Sequence, residues 1–259
     1  MTKVPPKPKK MRLDVAMVER DLVESRARAQ AVIMAGLVYR NTQRLDKASV
    51  MVSPDDEIIL KGRDHPWVSR GGVKLAHGLE HFQLDPVAMI CVDVGASTGG
   101  FTDVLLTNKA AKVYAVDVGH GQFDWKLRND PRVVVLERTN ARNLDTELIP
   151  DPLDAIVCDA SFIGLRTVLP AAMGLAKPGA FLIALIKPQF EVGKDQVGKG
   201  GVVRDPALHQ SVCDDIRGWL DGLADWCVMG IEQSPIKGPE GNVEFLIAAV
   251  KTEDQLSSG

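Results

Sequence analysis

The chain has 259 residues, of which 45% are hydrophobic and 25% charged, close to an average globular protein. This length predicts one or two domains. Its longest apolar runs, such as residues 180–186, fall far short of the roughly 20 residues that span a bilayer. The composition excludes a membrane-spanning, collagen-like or coiled-coil chain and predicts an ordinary soluble protein.

Charge is distributed unevenly along the chain. Residues 1–74 hold 15 lysines and arginines against 9 acidic residues, and the remainder holds 16 against 25. A basic N-terminal part predicts contact with a polyanion such as nucleic acid, although exposed charge alone can also be a solvated face. Residues 1–10, with four lysines and three prolines, predict a disordered basic tail. Charged residues follow where a signal peptide needs an apolar stretch, so we expect a cytoplasmic protein.

The cysteine pattern agrees with that compartment. Cys91, Cys158, Cys213 and Cys227 form no C-x-x-C pair. Because Cys91 and Cys158 lie inside apolar runs, we predict reduced thiols that are buried like small hydrophobic side chains.

Residues 11–61 predict a compact module of two helices and short strands. Val15, Val18 and Leu22 have helical spacing, and Ser25 can cap a second helix that ends at Gly36. The apolar stripe of that second helix is Ala29, Val32 and Ile33. Short strands are predicted at 38–40, 50–52 and 58–60.

This module resembles the RNA-binding α-L domain, first known from a small-subunit ribosomal protein and also called S4-like. The motifs that carry the resemblance are R12-L-D, S25-R-A-R-A-Q, G36-L-V and D56-E-I-I-L. The family usually has Asn-Gly in the hairpin, where this sequence has Asn41-Thr42. The resemblance implies RNA binding by basic side chains, and the residues that we assign to it are Arg12, Arg26, Arg28, Arg40 and Arg70.

Beyond a Gly- and Pro-containing linker at 62–71, strand patterns alternate with helix-length segments. The predicted strands are 90–94, 112–118, 133–136, 155–158, 180–186, 228–231 and 243–250. This order predicts an α/β domain over residues 72–250, with a largely parallel seven-stranded sheet wound on both faces. The last two strands form an antiparallel pair because their connection is too short for a crossover helix. A flexible tail is predicted at 251–259.

A glycine-rich segment, Asp93 to Phe101, follows the first of these strands and opens a helix, so backbone N–H groups can approach a ligand closely. Asp117 lies 22 residues after Gly95, where a carboxylate can bind both hydroxyls of a ribose. Ser97 replaces the second glycine of G-x-G-x-x-G, which disfavours a nicotinamide dinucleotide. Asp93 could meet the ammonium of an adenosyl ligand with an amino-acid tail, and S-adenosylmethionine (SAM) fits best. The alternative is a turn that serves only the fold.

Charged residues end two further strands at the same edge. Asp159 follows the fourth strand and Lys187 follows the fifth. The carboxyl edge is where open α/β sheets bind ligands. A salt bridge that serves only stability is the alternative.

Residues 62–250 resemble the FtsJ-like RNA ribose 2′-O-methyltransferases, and with the N-terminal module the chain resembles their TlyA group. The shared motifs are S69-R-G-G-V-K-L, D93-V-G-A-S-T-G-G-F-T-D, V157-C-D-A-S-F-I, L185-I-K-P-Q-F-E and G241-N-V-E-F. The resemblance implies a Rossmann-like class I SAM-dependent methyltransferase fold and a catalytic tetrad at Lys74, Asp159, Lys187 and Glu244. The implied cofactor-binding residues are Asp93, Gly95, Ala96, Ser97, Thr98, Gly99, Gly100, Phe101, Asp117, Asn140 and Asp159.

The resemblance also implies the reaction, which is methylation of a cytidine 2′-hydroxyl in 16S rRNA, 23S rRNA or both. SAM becomes S-adenosylhomocysteine, no metal is expected, and the partners are ribosomal RNA or ribosomal subunits, without a membrane or protein partner. Lys187 would take or share the hydroxyl proton, or stabilise the developing alkoxide. Lys74 would push the ammonium of Lys187 toward the neutral form, whereas Asp159 and Glu244 would oppose that shift. Residues 191–204 could form a mobile flap beside it.

The sequence also allows three other functions. The zinc motif H-x-x-E-H is matched by His77, Glu80 and His81. The buried stripe of this helix, however, is formed by Leu75, Leu79 and Phe82, so the two histidines should face solvent. No third ligand is apparent. A membrane-active hemolysin is a second alternative, because TlyA-group members sometimes carry that label, yet the sequence has no long amphipathic cationic helix. An inactive RNA adaptor would require a broken tetrad.

Overall fold

A computed structural model describes residues 10–23, 25–61, 65–238 and 241–252, with Lys194 described without its side chain. Except for Lys10, the predicted basic tail lies outside these residues, as does most of the predicted C-terminal tail. Lys251 ends the last strand instead of opening a tail.

The N-terminal part packs two helices on short strands. Its elements are β1 (Met11–Arg12), α1 (Leu13–Glu19), α2 (Arg26–Met34), β2 (Val38–Arg40), β3 (Gln43–Arg44), β4 (Met51–Val52) and β5 (Ile58–Leu60). β2 pairs antiparallel with β3 and β5, and β1 pairs antiparallel with β4. Both helices and three of the strands were predicted; β1 and β3, with two residues each, are too short to show a pattern.

The predicted cap of α2 is confirmed, because the Ser25 hydroxyl accepts a hydrogen bond from the Arg28 backbone N–H at 3.2 Å. The predicted stripe of α2 is buried. The predicted face of α1 was wrong: its buried side chains include Leu13, Ala16 and Met17, which are spaced i, i+3, i+4. The helix starts directly after β1 and ends at Glu19, so Leu22 is buried beyond it.

The hairpin between β2 and β3 forms without the glycine of the family pattern. Arg40 pairs with Gln43, which leaves a two-residue turn. Asn41 supplies the left-handed conformation there, with φ of +54°. Asparagine tolerates that region better than most residues, so the two-residue turn forms without a glycine.

The second part alternates strands and helices. Its elements are α3 (Gly71–His81), β6 (Ile90–Val94), α4 (Gly100–Thr107), β7 (Lys112–Val116), α5 (Trp125–Arg128), β8 (Val133–Leu136), β9 (Leu153–Cys158), α6 (Leu165–Val168), α7 (Pro170–Gly174), β10 (Ala176–Ile186), α8 (Pro188–Glu191), α9 (Pro206–Asp221), β11 (Trp226–Gln233) and β12 (Phe245–Lys251). Short 3₁₀ turns occupy Ala141–Asn143 and Lys194–Gln196.

The sheet has seven strands in the order β11-β12-β10-β9-β6-β7-β8. β12 runs antiparallel to both of its neighbours, whereas the pairs from β10 to β8 are parallel. This confirms the predicted Rossmann-like α/β fold with an antiparallel last pair. The order reverses at β6 and β9, and ligands bind beside such a switch point at the carboxyl edge.

Hydrophobic layers cover both faces of the sheet. α3, α4 and α5 pack on one face, and α6, α7 and α9 pack on the other. Cys91 and Cys158 point to opposite faces and are fully buried, as predicted. All four cysteines are free thiols, and Cys227 is exposed.

The described part of the predicted linker is attached to this domain. Trp67 and Val68 pack against the layer that contains α3 and α4, and the Val68 backbone N–H donates to Asp103 Oδ2 at 2.8 Å. Ser69 is buried, and Gly71 already belongs to α3. This segment therefore fixes the start of α3, one turn before Lys74.

The predicted flap is anchored at its C-terminal end. Val202 and Val203 are buried, and the Asn242 side chain accepts from the Val203 backbone N–H at 3.2 Å. The exposed stretch is shorter than the predicted 191–204. Within the described part of the chain, no helix has the length and apolarity needed to cross a bilayer.

Candidate active site

A cleft at the carboxyl edge of the sheet brings the glycine-rich loop next to three of the predicted catalytic side chains. The loop contributes Gly95 to Thr98, Gly100 and Phe101, and the predicted catalytic side chains are Lys74, Asp159 and Lys187. These groups come from α3 and from the ends of β6, β9 and β10. Asp93, Gly99, Asp117, Asn140 and Glu244 lie behind or beside this lining.

The loop after β6 has the backbone of a ligand cradle. Gly95 and Gly99 have φ of +82° and +96°, and Ser97 takes the same left-handed region at +48°. A Cβ on Gly95 would lie 2.8 Å from Ala160 Cα, so only glycine fits there. Ser97 therefore holds a left-handed backbone conformation that is uncommon for residues other than glycine.

Asp93 holds the start of α4 from beneath the loop. Its Oδ2 accepts hydrogen bonds from the Thr102 backbone N–H at 3.0 Å and from Thr102 Oγ1 at 2.7 Å. Its Oδ1 is buried and has no hydrogen-bond partner among the described residues, and the same is true of Thr98 Oγ1. Burial raises the pKa of Asp93 to about 7. One carboxylate oxygen is thus available to a buried donor or cation.

Asp117 stands directly after β7 and is tied to the loop. Its Oδ2 accepts from the Ser97 backbone N–H and its Oδ1 from the Gly119 backbone N–H, both at 2.7 Å. Asn140 caps the 3₁₀ turn that follows, accepting from the Arg142 backbone N–H at 3.1 Å. The Asp117 carbonyl accepts from the Thr139 backbone N–H, which places these two predicted cofactor residues on connected backbone.

The four residues of the predicted tetrad form one chain of ion pairs. Lys187 Nζ lies 2.6 Å from Asp159 Oδ1, Lys74 Nζ lies 3.3 Å from Asp159 Oδ2, and Lys74 Nζ lies 2.7 Å from Glu244 Oε2. Glu244 is fully buried and the lysine side chains are 6% exposed, whereas the Asp159 side chain is 19% exposed and opens to the cleft. Asp159 is therefore the bridge between the buried pair and Lys187.

Two members of the network, Lys74 and Asp159, stay charged despite burial. Burial alone would lower the pKa of Lys74, but Asp159 and Glu244 outweigh it and raise that pKa. Burial opposes ionisation of Asp159, yet Lys187 and Lys74 hold the pKa of this carboxyl below its ordinary value. Both groups are charged at neutral pH.

The local fold explains these positions. Lys187 directly follows β10, and Pro188 at the first position of α8 turns the chain away from the sheet. Glu244 precedes β12, and its carbonyl accepts from the Ser234 backbone N–H at the end of β11. A side chain at Gly238 would overlap Glu244 Oε1, so this loop also needs glycine.

Three residues of the site were not identified from the sequence. Ser161 Oγ accepts from Lys187 Nζ at 3.0 Å. Phe162 beside it is 90% exposed, has φ of +65°, and its ring lies 5.1 Å from that of Phe190. Asp21, from the N-terminal part, lines the cleft, and burial raises its pKa. The motif containing Asp159 could have pointed to the first two residues, but no local pattern pointed to Asp21.

The five predicted RNA-binding arginines divide into groups. Arg12 and Arg26 share Asp14, each with a nitrogen 2.9 Å from its carboxylate, and they hold the pKa of that buried carboxyl well below its usual range. Arg40 pairs with Asp56 at 3.3 Å near the hairpin.

The other two arginines lie apart from these pairs. Arg28 is exposed on α2, whereas Arg70 lines the cleft and donates to the Lys237 carbonyl at 3.1 Å. The structure therefore places Arg70 with the catalytic side chains.

The histidines of the H-x-x-E-H motif lie outside the cleft lining, on α3. Leu75, Leu79 and Phe82 are buried and the two histidine side chains are partly exposed, as predicted. The expectation that no third ligand is present was wrong, because Glu232 of β11 lies 3.8 Å from both rings. The sequence could not show this, since 151 residues separate Glu232 from His81.

Comparisons with known proteins agree with this architecture. Residues 67–251 match the model of the FtsJ-like methyltransferase family, and residues 11–58 match the S4 domain. The chain is 46% identical over 252 residues to the 16S/23S rRNA (cytidine-2′-O)-methyltransferase TlyA of Mycobacterium tuberculosis, covering 96% of this chain and 94% of that protein. It is 38% identical to Hemolysin A of Brachyspira hyodysenteriae, covering 91% of this chain and 98% of that protein.

A solved structure from Streptococcus thermophilus, described as a candidate hemolysin, superposes with a TM-score of 0.82 at 41% identity. The match covers 96% of this chain and 90% of that one. Together with the seven-stranded sheet and the glycine-rich loop, these matches show that the chain belongs to the FtsJ-like methyltransferase family and carries an S4 domain before its methyltransferase domain.

Proposed function

We propose that this enzyme transfers a methyl group from SAM to the 2′-hydroxyl of a cytidine ribose in ribosomal RNA. The observation that carries the proposal is the network of Lys74, Asp159, Lys187 and Glu244 at the edge of the cleft, beside the glycine-rich loop. The cytidine and the ribosomal RNA follow the printed name of the relative from M. tuberculosis. The H-x-x-E-H histidines of the metalloprotease alternative lie outside the cleft, and the hemolysin alternative rests on the names of relatives.

The loop after β6 fits SAM. Gly95 leaves room for close approach of a ligand to the backbone, and the buried Thr98 Oγ1 and Asp93 Oδ1 have no described protein partner to satisfy them. Asp117 accepts two backbone hydrogen bonds and has lone pairs left for ribose hydroxyls. When bound, SAM supplies an electrophilic methyl group on a positively charged sulfur. We assign Asp93, the loop from Gly95 to Phe101, Asp117 and Asn140 to its binding.

Lys187 is the group that we assign to the attacking hydroxyl. Three described acceptors surround its Nζ: Asp159 Oδ1 at 2.6 Å, the Asp159 carbonyl at 3.1 Å and Ser161 Oγ at 3.0 Å. The carbonyl and Ser161 Oγ accept hydrogen bonds from Nζ, and Asp159 Oδ1 forms an ion pair with it. Because Ser161 is exposed and uncharged, its hydrogen bond is the one that a ribose oxygen can replace at least cost.

The role of Lys187 follows from this arrangement. Its ammonium would orient the 2′-oxygen and stabilise negative charge that develops there, while the hydroxyl proton leaves into the water of the open cleft. Lys74 and Glu244 are positioning residues, because Lys74 pairs with Asp159 and the fully buried Glu244 pairs with Lys74.

RNA would reach the site from the side that carries the S4 domain. Asp14 orients Arg12 and Arg26, and Arg70 stands in the cleft itself. The exposed Phe162 next to Lys187 offers an aromatic face on which an unstacked base could rest. Ribosomal RNA as the partner also implies that the enzyme works in the cytoplasm.

The test uses methyl-labelled SAM with 30S and 50S subunits from a strain that lacks the enzyme. After incubation, the RNA is digested to nucleosides and the labelled nucleoside is identified. Label in 2′-O-methylcytidine supports the proposal and shows which subunit is the substrate. Label in a different nucleoside, or none on either subunit while calorimetry shows that SAM binds, would contradict it.

A further inference from the structure

Outside the cleft, α3 and β11 bring three metal-binding side chains together. His77 and His81 are one helical turn apart on α3, and Glu232 faces them from β11. His77 Nε2 lies 3.8 Å from Glu232 Oε1, and His81 Nε2 lies 3.8 Å from Glu232 Oε2. The three donor atoms lie within 4.8 Å of one another.

These groups face a common space without being hydrogen-bonded to each other. Separations of 3.8 Å exceed the 2.7–3.2 Å of an N–H···O hydrogen bond. The side chains of His77, His81 and Glu232 are 34%, 42% and 36% exposed, so an ion can reach them and their χ angles can adjust. Ligands about 2.0–2.2 Å from a tetrahedral Zn²⁺ lie roughly 3.3–3.5 Å apart, so closure needs a shift of about an ångström.

The surroundings hold one of the ligands in place. The His81 ring packs edge-on against Phe82, with centroids 4.8 Å apart. Phe82 is buried and lies against Gly230, two residues before Glu232 on the same strand. Helix and strand are therefore packed together where the three ligands meet.

We propose that His77, His81 and Glu232 form a binding site for a zinc-class divalent metal ion. Two imidazole nitrogens and one carboxylate oxygen suit Zn²⁺, Ni²⁺ or Cu²⁺, whereas Mg²⁺ and Ca²⁺ prefer all-oxygen sites. Because the site is outside the cleft, the ion would not touch the reacting atoms. It would join α3 to β11 and so steady the helix that carries Lys74, three residues before His77.

The experiment measures metal binding by the full-length protein after treatment with a chelator. All variants carry Cys227→Ser, because an exposed thiol on β11 also binds zinc. Zn²⁺ is titrated by calorimetry and Co²⁺ by visible absorption, and melting temperature is recorded with and without Zn²⁺. The test variant is His77→Ala/His81→Ala, Glu232→Gln is a second variant, and His120→Ala is the matched control at an exposed histidine elsewhere.

We expect one equivalent of Zn²⁺ to bind, with a Co²⁺ spectrum of nitrogen and oxygen ligands and a higher melting temperature. The double variant should lose at least about 100-fold in affinity, Glu232→Gln about 10-fold or more, and His120→Ala nothing. Equal affinity of the double variant and the control, or no binding up to about 1 mM Zn²⁺ by a folded parent protein, would overturn the proposal. Because no methyl acceptor is present, the result is independent of the proposed function.

Discussion

Replacing Asp93 with asparagine tests how the buried carboxylate beneath the glycine-rich loop behaves. In the folded protein, burial raises the pKa of Asp93 from 3.8 to about 7. A carboxyl that binds its proton more tightly when folded loses stability as pH rises between the two pKa values, and the loss levels off above the folded one. At about 1.4 kcal/mol per pKa unit, the ionised side chain costs the folded state about 4 kcal/mol at pH 8.

The assay is chemical unfolding of the wild type and Asp93→Asn between pH 5 and pH 8, with Asp46→Asn, an exposed carboxylate, as the matched control. An asparagine can still accept the two hydrogen bonds from Thr102. From pH 5 to pH 8 the stability of Asp93→Asn should rise by about 3 kcal/mol relative to the wild type. The wild type loses about 1.4 kcal/mol per pH unit over the roughly two units between pH 5 and the folded pKa of about 7. Parallel pH profiles for the wild type and Asp93→Asn would refute the reasoning.

The same substitution separates a structural role from cofactor binding. If Asp93 faces the ammonium of SAM, binding favours its ionised form, so the affinity of the wild type should rise with pH and level off above about 7. Asp93→Asn should bind SAM more weakly at pH 8 and with a flat pH profile. If Asp93→Asn and the wild type bind SAM equally well at pH 8, Asp93 only holds the start of α4 and does not contact the ammonium of SAM.

Three further predictions concern RNA recognition. Asp14→Asn should lower the free energy of unfolding of the S4 domain by about 1–3 kcal/mol and weaken RNA binding, because Arg12 and Arg26 lose the carboxylate that they share. Thermal unfolding measures the first effect and filter binding the second. An unchanged RNA affinity would argue that Asp14 does not position these arginines for RNA. Phe162→Ala should leave SAM affinity unchanged and weaken RNA binding or turnover by about 10-fold, since base stacking is worth about 1–3 kcal/mol. If Phe162→Ala and the wild type have equal kinetics, Phe162 does not stack on a base. RNA affinity should fall about 100-fold from 50 to 200 mM salt if the five arginines meet phosphates, and a flat salt profile would contradict that.

The sequence predicted the sheet well because its strands are nearly continuous apolar runs, a strong signal in a doubly covered sheet. The alternation with helices gave the parallel order, and the short loop before β12 gave the antiparallel pair. The weaker signals were the short N-terminal elements. The buried face of α1 depends on the residue at which β1 ends and the helix begins. Seven residues are too few for periodicity to show that residue.

The four residues of the predicted tetrad lie together in the fold, but their geometry was not predicted. The tetrad came from a family resemblance, since Lys74 and Glu244 are 170 residues apart and only the fold brings their charged groups within 2.7 Å. The sequence left the role of Lys187 open, and the proposal of an orienting ammonium rests on the three oxygen atoms around its Nζ. Asp21 and Glu232 were missed because each acts by packing against a distant element.

The most direct test of the central claim compares Lys187→Ala with the wild type in single-turnover methyl transfer to the ribosomal subunit that serves as substrate. Lys109→Ala, an exposed lysine after α4, is the matched control, and SAM affinity is measured for all three proteins. The account predicts a loss of at least about 1,000-fold in the transfer rate for Lys187→Ala, with SAM affinity within about threefold of the wild type. A transfer rate for Lys187→Ala equal to that of the control would contradict the assignment of the tetrad as the catalytic site.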